Sequence, residues 1–294
     1  MKSFLLLIIT FFLTETIFCQ SSKEIEKNRF IKSKNNKLGI TDSSNKVIVP
    51  FIYDFIDYKN KRLIVQKNNS QGLITTDNQV ILSISYKFIL ARNNNRFILW
   101  THNSLFGLCD TAGQELIPVK YKNLSSTEND DFYVSTNQQN LNGVFNFNGK
   151  TILPDAYKFY TIDNYKIFAT KDNQPIIINL NNLANNIELD KEINFIETQR
   201  HYSSGEQLFQ IIKKDNKFGL INSDNEILVP IIYDELKSSQ HWKYYLFKNK
   251  GKIGIINING QIIKEPIYDS IELRKEYIVL KQKNKKDEYY SYQW

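Results

Sequence analysis

Hydrophobic and polar positions alternate in short runs along this chain, and the runs recur. A glycine opens each copy, and a tyrosine follows fourteen residues later: Gly39/Tyr53, Gly72/Tyr86, Gly107/Tyr121, Gly143/Tyr157, Gly219/Tyr233 and Gly254/Tyr268. Most successive glycines lie 33 to 36 residues apart. A fixed period in this range marks a tandem-repeat protein, in which no unit buries its apolar face alone. Between glycine and tyrosine sits a turn pair: Ser44-Asn45, Asp77-Asn78, Ala112-Gly113, Asn148-Gly149, Asp224-Asn225 and Asn259-Gly260. Such pairs predict a two-residue type I′ hairpin, with strands at 37–42 and 46–49 in the first copy.

Proline follows the hairpin in five copies, at Pro50, Pro118, Pro154, Pro230 and Pro266. It predicts a strand end, because proline lacks the N–H that a paired central strand uses. A third apolar run follows each tyrosine, as in RLIVQ (62–66), RFILW (96–100) and EYIVL (276–280). The expected fold is all-β: three-stranded antiparallel units of about 35 residues, stacked as an open β-solenoid, with a closed β-propeller as the alternative. Residues 30–280 hold about seven units. The fifth is degenerate, with Ile176 in place of glycine and Pro175 in place of the preceding aromatic. The polar stretch 183–207 reads as a surface insertion, 20–29 as a leader and 281–294 as a partial repeat acting as a cap.

The order glycine, turn, apolar pair, proline, tyrosine-aspartate resembles the WG (also KWG) repeat of bacterial proteins over roughly residues 30–280. The family's tryptophan before the glycine is replaced by Leu38, Gln71, Phe106, Asn142, Phe218 and Ile253. Tyr-Asp is kept at Tyr53-Asp54, Tyr233-Asp234 and Tyr268-Asp269. The resemblance implies a β-rich array that binds or scaffolds, and carries over no catalytic residues.

The amino terminus changes the picture of where such an array works. Lys2 and the apolar run 4–13 have the form of a secretory signal peptide, 1–19, too short for a membrane span. Cleavage is expected between Cys19 and Gln20, with a lipoprotein acylated at Cys19 as the alternative. The expected location is periplasmic, cell-surface or secreted. Cys109 then remains alone, without a disulfide partner, and reads as a small buried residue. The net charge of +7 is spread over connecting tracts such as KSKNNK (32–37) and KQKNKK (281–286). Blocks of this kind solvate turns and protect β-edges; contact with acidic envelope polymers is the functional alternative.

Chemistry-bearing motifs are sparse. His102, His201 and His241 lack metal-ligand spacing, no turn carries the calcium-loop pattern, and no nucleophile or phosphate-loop motif occurs. The sequence therefore predicts no catalytic residues, no cofactor and no metal. The six tyrosines read as core residues whose hydroxyls find backbone partners, because apolar neighbours such as Ile52, Ile232 and Ile267 flank them. Contacts outside the repeat consensus, in 183–207 and at Tyr289, Tyr290, Tyr292, Trp100, Trp242 and Trp294, are the better candidates for specific recognition. The expected function is an exported, non-catalytic binding or scaffold protein of the cell envelope. Its partner would be a protein or glycan, with no nucleic acid. The alternatives are a glycan-acting enzyme with a site between repeats and a self-assembling envelope protein.

Overall fold

The computed structural model describes residues 23–127, 130–163, 165–200, 208–239, 241 and 243–292. The segment 1–19 with its Cys19–Gln20 cleavage site, and also His201, Trp242 and Trp294, lie outside the described residues. Antiparallel sheets whose strands follow one another in chain order account for nearly all of the fold. Two compact units divide the chain, residues 1–124 and 125–294.

The first unit holds three sheets of four strands. They are Lys23–Glu26, Arg29–Lys34, Lys37–Thr41 and Val47–Tyr53; Phe55–Lys59, Arg62–Lys67, Ser70–Ile74 and Val80–Tyr86; and Phe88–Arg92, Arg96–Trp100, Phe106–Asp110 and Glu115–Tyr121. The division between units falls in the strand Asn123–Ser126. The strands Phe132–Thr136 and Asn142–Asn146 follow, then a 13-residue strand, Thr151–Asp163. Its first half pairs with Asn142–Asn146 and its second half with Lys166–Lys171, so one strand serves two ladders. Gln174–Asn179 and the short Ile187–Glu188 complete the second ladder. Two more four-stranded sheets run from Asn194 to Tyr233 and from Glu235 to Tyr268, and a three-stranded sheet from Ser270 to Ser291 closes the series.

The structure corrects the expected three strands per unit to four. The missed strand is the one just past each tyrosine, such as Phe55–Lys59, too short and too mixed in polarity to show a period. Residues 183–207 are not a plain surface insertion either. Ile187–Glu188 pairs with Ile176 and Ile177, and Asn194–Arg200 pairs with Leu208–Lys214. Leu189 and Phe195 are buried there, spaced among charged residues that face out. Among the described residues the strands begin earlier than residue 30, with Lys23–Glu26, and run on to Glu288–Ser291 of the cap.

Central strands bury both faces, which explains their unbroken apolar runs. Leu63 and Val65 pack with Ile40, Val49 and Tyr53 of the preceding sheet, while Ile64 and Leu73 pack with Phe97, Leu99 and Cys109 of the following one. In the second unit, Phe168 and Phe195 meet edge-to-face at 5.4 Å between successive sheets. Within each unit successive sheets thus pack face to face, and the core there is a series of apolar layers.

The hairpin turns also differ from expectation. Only the second residue of each pair has positive φ: Asn45, Asn78, Gly113, Gly149, Asn225 and Gly260, between +66° and +82°. A type I′ turn demands positive φ at both central residues, which Ser44 and Ala112 resist. The chain instead forms a three-residue loop, with Asn45 N–H donating to Asp42 O and Asp42 N–H to Lys46 O. The Asp42 carboxylate then accepts the N–H groups of Ser44 and Lys46, both at 2.9 Å. Asp110, Asn146, Asn222 and Asn257 do the same in their own copies. Positive φ at both positions occurs in the other hairpin, at Asn35-Asn36, Asn68-Asn69, Asp215-Asn216 and Lys250-Gly251. Replacing Asn225 with valine is expected to cost about 1–2 kcal/mol of unfolding free energy, and Asn225→Gly to leave stability nearly unchanged. Urea denaturation of the two variants checks this; equal midpoints would contradict it.

Candidate functional site

The repeated glycine and tyrosine belong to one construction. Leu38 pairs with Tyr53 and Ile40 with Val49, so the single residue Gly39 stands opposite three, Pro50, Phe51 and Ile52. The same one-against-three bulge recurs at Gly72, Gly107, Gly143, Gly219 and Gly254. A bulge leaves residues unpaired, and this is where proline is tolerated. Pro50 is therefore inside the strand Val47–Tyr53 rather than at its end. The bulged strand folds its backbone over the glycine: a Cβ on Gly39 would lie 2.7 Å from Val49 O, and one on Gly254 would lie 2.6 Å from Lys264 O. The degenerate fifth copy obeys the same rule in reverse. Ile176 carries a Cβ, and the strand beside it pairs through two residues without a bulge.

Beyond the bulge the tyrosine turns inward. Tyr53, Tyr121, Tyr157, Tyr233 and Tyr268 are buried and Tyr86 is half-buried. Their hydroxyls do not follow the expectation of backbone partners. Tyr268 donates to the Glu288 carboxylate at 3.0 Å, while Tyr53, Tyr86, Tyr157 and Tyr233 form no hydrogen bond among the described residues. Ile52, Ile232 and Ile267, read as core neighbours, point to solvent, since adjacent strand residues face opposite sides.

The residue after the tyrosine adds a feature that the sequence reading missed. Asp54 accepts from Asn68 N–H at 3.1 Å and from the Lys37 ammonium. Asp234 accepts from Lys250 N–H at 2.7 Å and Lys217 Nζ at 2.6 Å, and Asp269 from Lys283 N–H at 2.8 Å and Lys252 Nζ at 2.5 Å. Each clasp joins the end of one sheet to the second hairpin turn of the next. The lysine hydrogen bond, then the backbone N–H, holds all three carboxyls below their ordinary range. The copies that lack this aspartate lack the lysine too. Lys87, Lys122 and Lys158 follow the tyrosine there, and Ser70, Leu105 and Leu141 occupy the lysine position.

These depressed values set a pH dependence. With the folded pKa below the unfolded value of 3.8, the clasps contribute fully above that pH and lose their contribution as pH falls through the folded pKa. The triple variant D54N/D234N/D269N is expected to melt lower at neutral pH and to show a shallower fall in acid. Thermal melts from neutral pH to about pH 2 check this; parallel curves would remove the clasps from the account.

Other candidates resolve individually. Cys109 is buried in an apolar layer, and desolvation pushes its thiol up to about 12, so it is no nucleophile. His241 is buried and stacks on Tyr292 at 5.1 Å, and Tyr244 and Tyr290 complete that aromatic cluster in the final sheets. Tyr289, by contrast, is exposed. His102 is exposed and meets Ser70 Oγ at 3.0 Å. Among the described residues no group of three or more histidine, cysteine, aspartate or glutamate side chains is arranged to hold a metal, and no helix is long and apolar enough to cross a membrane.

Solved structures similar to this chain include a eukaryotic initiation factor, at 10% identity over 87% of this chain and 78% of that one, with a TM-score of 0.36. Hsv2p of Kluyveromyces lactis is similar at 13% identity over 69% and 80%, with a TM-score of 0.31. The Cps50 (Swd1) β-propeller domain of Myceliophteria thermophila is similar at 10% over 68% and 83%, also at 0.31. At such scores these likenesses carry no argument. No curated protein matches the chain. The WG containing repeat matches residues 39–70, 218–252 and 253–285. Those stretches contain the glycine, the one-against-three bulge and the aspartate of the three clasped copies, and over them the chain is similar to the WG repeat.

Proposed function

We propose that this chain is an exported, non-catalytic binding or scaffold protein, whose repeats present a surface to a protein or glycan partner of the cell envelope. The observation that carries this reading is a set of outward apolar residues at equivalent repeat positions. Val47, Val80, Ile227 and Ile262 begin the last strand of their sheets, and Ile52, Ile232 and Ile267 sit in the bulges; all are 40–70% exposed. Recurrent exposed β-branched residues of this kind cost solubility unless something covers them. Bulge and proline together blunt the same edge against strand-to-strand pairing, which favours a docked partner over self-assembly. Export rests on the leader-like residues 1–19.

The repeat unit itself is, on this reading, a propeller-type blade. Four consecutive antiparallel strands, stacked on the next such sheet through a buried tyrosine, support a blade over a three-stranded solenoid rung.

The test is capture from envelope extract by the full chain and by a variant with Ile227, Ile232, Ile262 and Ile267 changed to serine. Deleting 183–207 is unsuitable, because it removes strands. A defined partner bound by the wild type and lost by the variant supports the reading. A partner held equally by both, or none at all, overturns it.

A further inference from the structure

One end of the later sheets in the second unit is rich in lysine. The hairpin turns there read KKDNK (213–217), KNKGK (248–252) and KQKNKK (281–286), and they belong to three successive sheets. The turns at the other end of the first two of these sheets, NSDNE (222–226) and NINGQ (257–261), contain no lysine. The aspartate clasps set the three lysine turns side by side. Asp234 holds Lys217 Nζ of one turn and Lys250 N–H of the next, and Asp269 holds Lys252 Nζ and Lys283 N–H in the same way. Lys250 and Lys283 therefore occupy equivalent places one sheet apart, and packed sheets lie about 10 Å from each other. Both are exposed, as are Lys285 and Lys286. The row lies on the turns of one unit, not on a sheet face.

Charge in the row does not balance. Lys214 pairs with Asp190 and Glu192, Lys217 with Asp234, Lys252 with Asp269 and Lys281 with Glu272. Lys248, Lys250, Lys283, Lys285 and Lys286 form no ion pair among the described residues. Lys248 and Lys283 lie near Asp234 and Asp269, but each of those carboxylates is already engaged by its clasp lysine. Asp215 and Asp287 are the other acids beside these turns, and cations remain in excess. Edge protection does not explain them. Lysines guard open sheet edges, whereas the first two turns join inner strands, Leu208–Lys214 to Lys217–Asn222 and Tyr244–Asn249 to Lys252–Asn257. Solubility asks for charges of both signs interspersed over the surface, not for one sign held in register. The turns also contain no aromatic or apolar residue and no arginine. Nothing in them can stack on a base or enter a bilayer. An ammonium is a point charge, suited to single acid groups.

We propose that Lys250, Lys283, Lys285 and Lys286 bind a linear acidic polysaccharide, laid across the turns with its acid groups on successive lysines. The step of about 10 Å between equivalent turns suits a polymer whose acid groups recur on alternate sugars. Charges on duplex DNA follow much more closely, one per roughly 1.7 Å of axis. The site rests on the reading of this chain as a binding array, and names an acidic glycan as its ligand class.

The experiment is calorimetric titration of the full chain with two acidic polysaccharides, sulfated heparin and carboxylated polygalacturonate. Neutral dextran, oligothymidylate and phosphatidylglycerol vesicles are the comparisons. The wild type is expected to bind at least one of the acidic polysaccharides, less tightly as salt rises, and not to bind dextran. The better of the two identifies the acid group. The variant K250Q/K283Q/K285Q/K286Q, which leaves the clasp lysines in place, is expected to bind about tenfold less tightly or worse. K27Q/K46Q/K150Q/K275Q removes as much charge from exposed lysines on turns at the other end of their sheets, and is expected to change binding by less than about twofold. Far-ultraviolet circular dichroism establishes that each variant keeps its strands. No binding by the wild type, equal losses in the two variants, or tighter binding of oligothymidylate or vesicles would overturn the proposal. Failure here with envelope capture intact would reject this ligand and leave the binding array standing; failure of both would reject the array.

Discussion

Tyr233→Ala is expected to destabilise the second unit by about 3–5 kcal/mol, the largest effect expected of any single repeat residue. Tyr233 is buried in the layer formed by Phe209, Ile211, Leu220, Val229, Leu236, Tyr245 and Phe247, with its ring centroid 4.6 Å from that of Phe247. Removing the ring opens a cavity between two sheets whose backbones are fixed by their own ladders, so the site cannot collapse. Tyr233→Phe separates packing from polarity. The hydroxyl makes no hydrogen bond, so its loss is expected to change stability by less than about 0.5 kcal/mol. Tyr268→Phe, which breaks the bond to Glu288, is expected to be measurably worse. Urea unfolding followed by circular dichroism distinguishes the three. A midpoint for Tyr233→Ala close to wild type would refute the inward packing of the repeat tyrosine.

The second large effect is expected at the glycine. Gly254→Ala would set a Cβ 2.6 Å from Lys264 O and 2.7 Å from the Phe247 ring. The carbonyl belongs to the residue that pairs with Ile255 at the rim of the bulge, and the ring belongs to the core layer, so neither yields freely. Overpacking against both is expected to cost about 3 kcal/mol. Gly251→Ala is the control. That glycine has φ +81° but nothing within 4 Å of a Cβ, so only the left-handed backbone is penalised, by about 1 kcal/mol. Similar losses for the two variants would mean that the repeat glycine is kept for conformation rather than for close approach.

The repeat itself was legible because its geometry is strict. One glycine under a three-residue bulge fixes the distance to the tyrosine, and no other residue fits beneath the carbonyl. The turn residues were legible in kind but not in type, because Ser44 and Ala112 decide against a type I′ hairpin and the aspartate or asparagine two places ahead decides for the wider loop. The fourth strand was hidden by its shortness. In 183–207 two strands were masked by alternating charge, with Leu189 and Phe195 too widely spaced to show a period. The partnership of Lys37 with Asp54, Lys217 with Asp234 and Lys252 with Asp269 was present in the letters. It becomes visible only when the bulge brings residues seventeen apart into contact.

The strand Thr151–Asp163 belongs to two ladders at once, whereas a single residue, Asp234 or Asp269, breaks the strand between the later sheets of the second unit. A break in the strand lets neighbouring slabs open separately; a continuous strand ties their opening together. Amide protons on either side of Tyr157 should therefore exchange with solvent in a single cooperative event. That makes this stretch a hinge-free joint in a chain otherwise punctuated by turns.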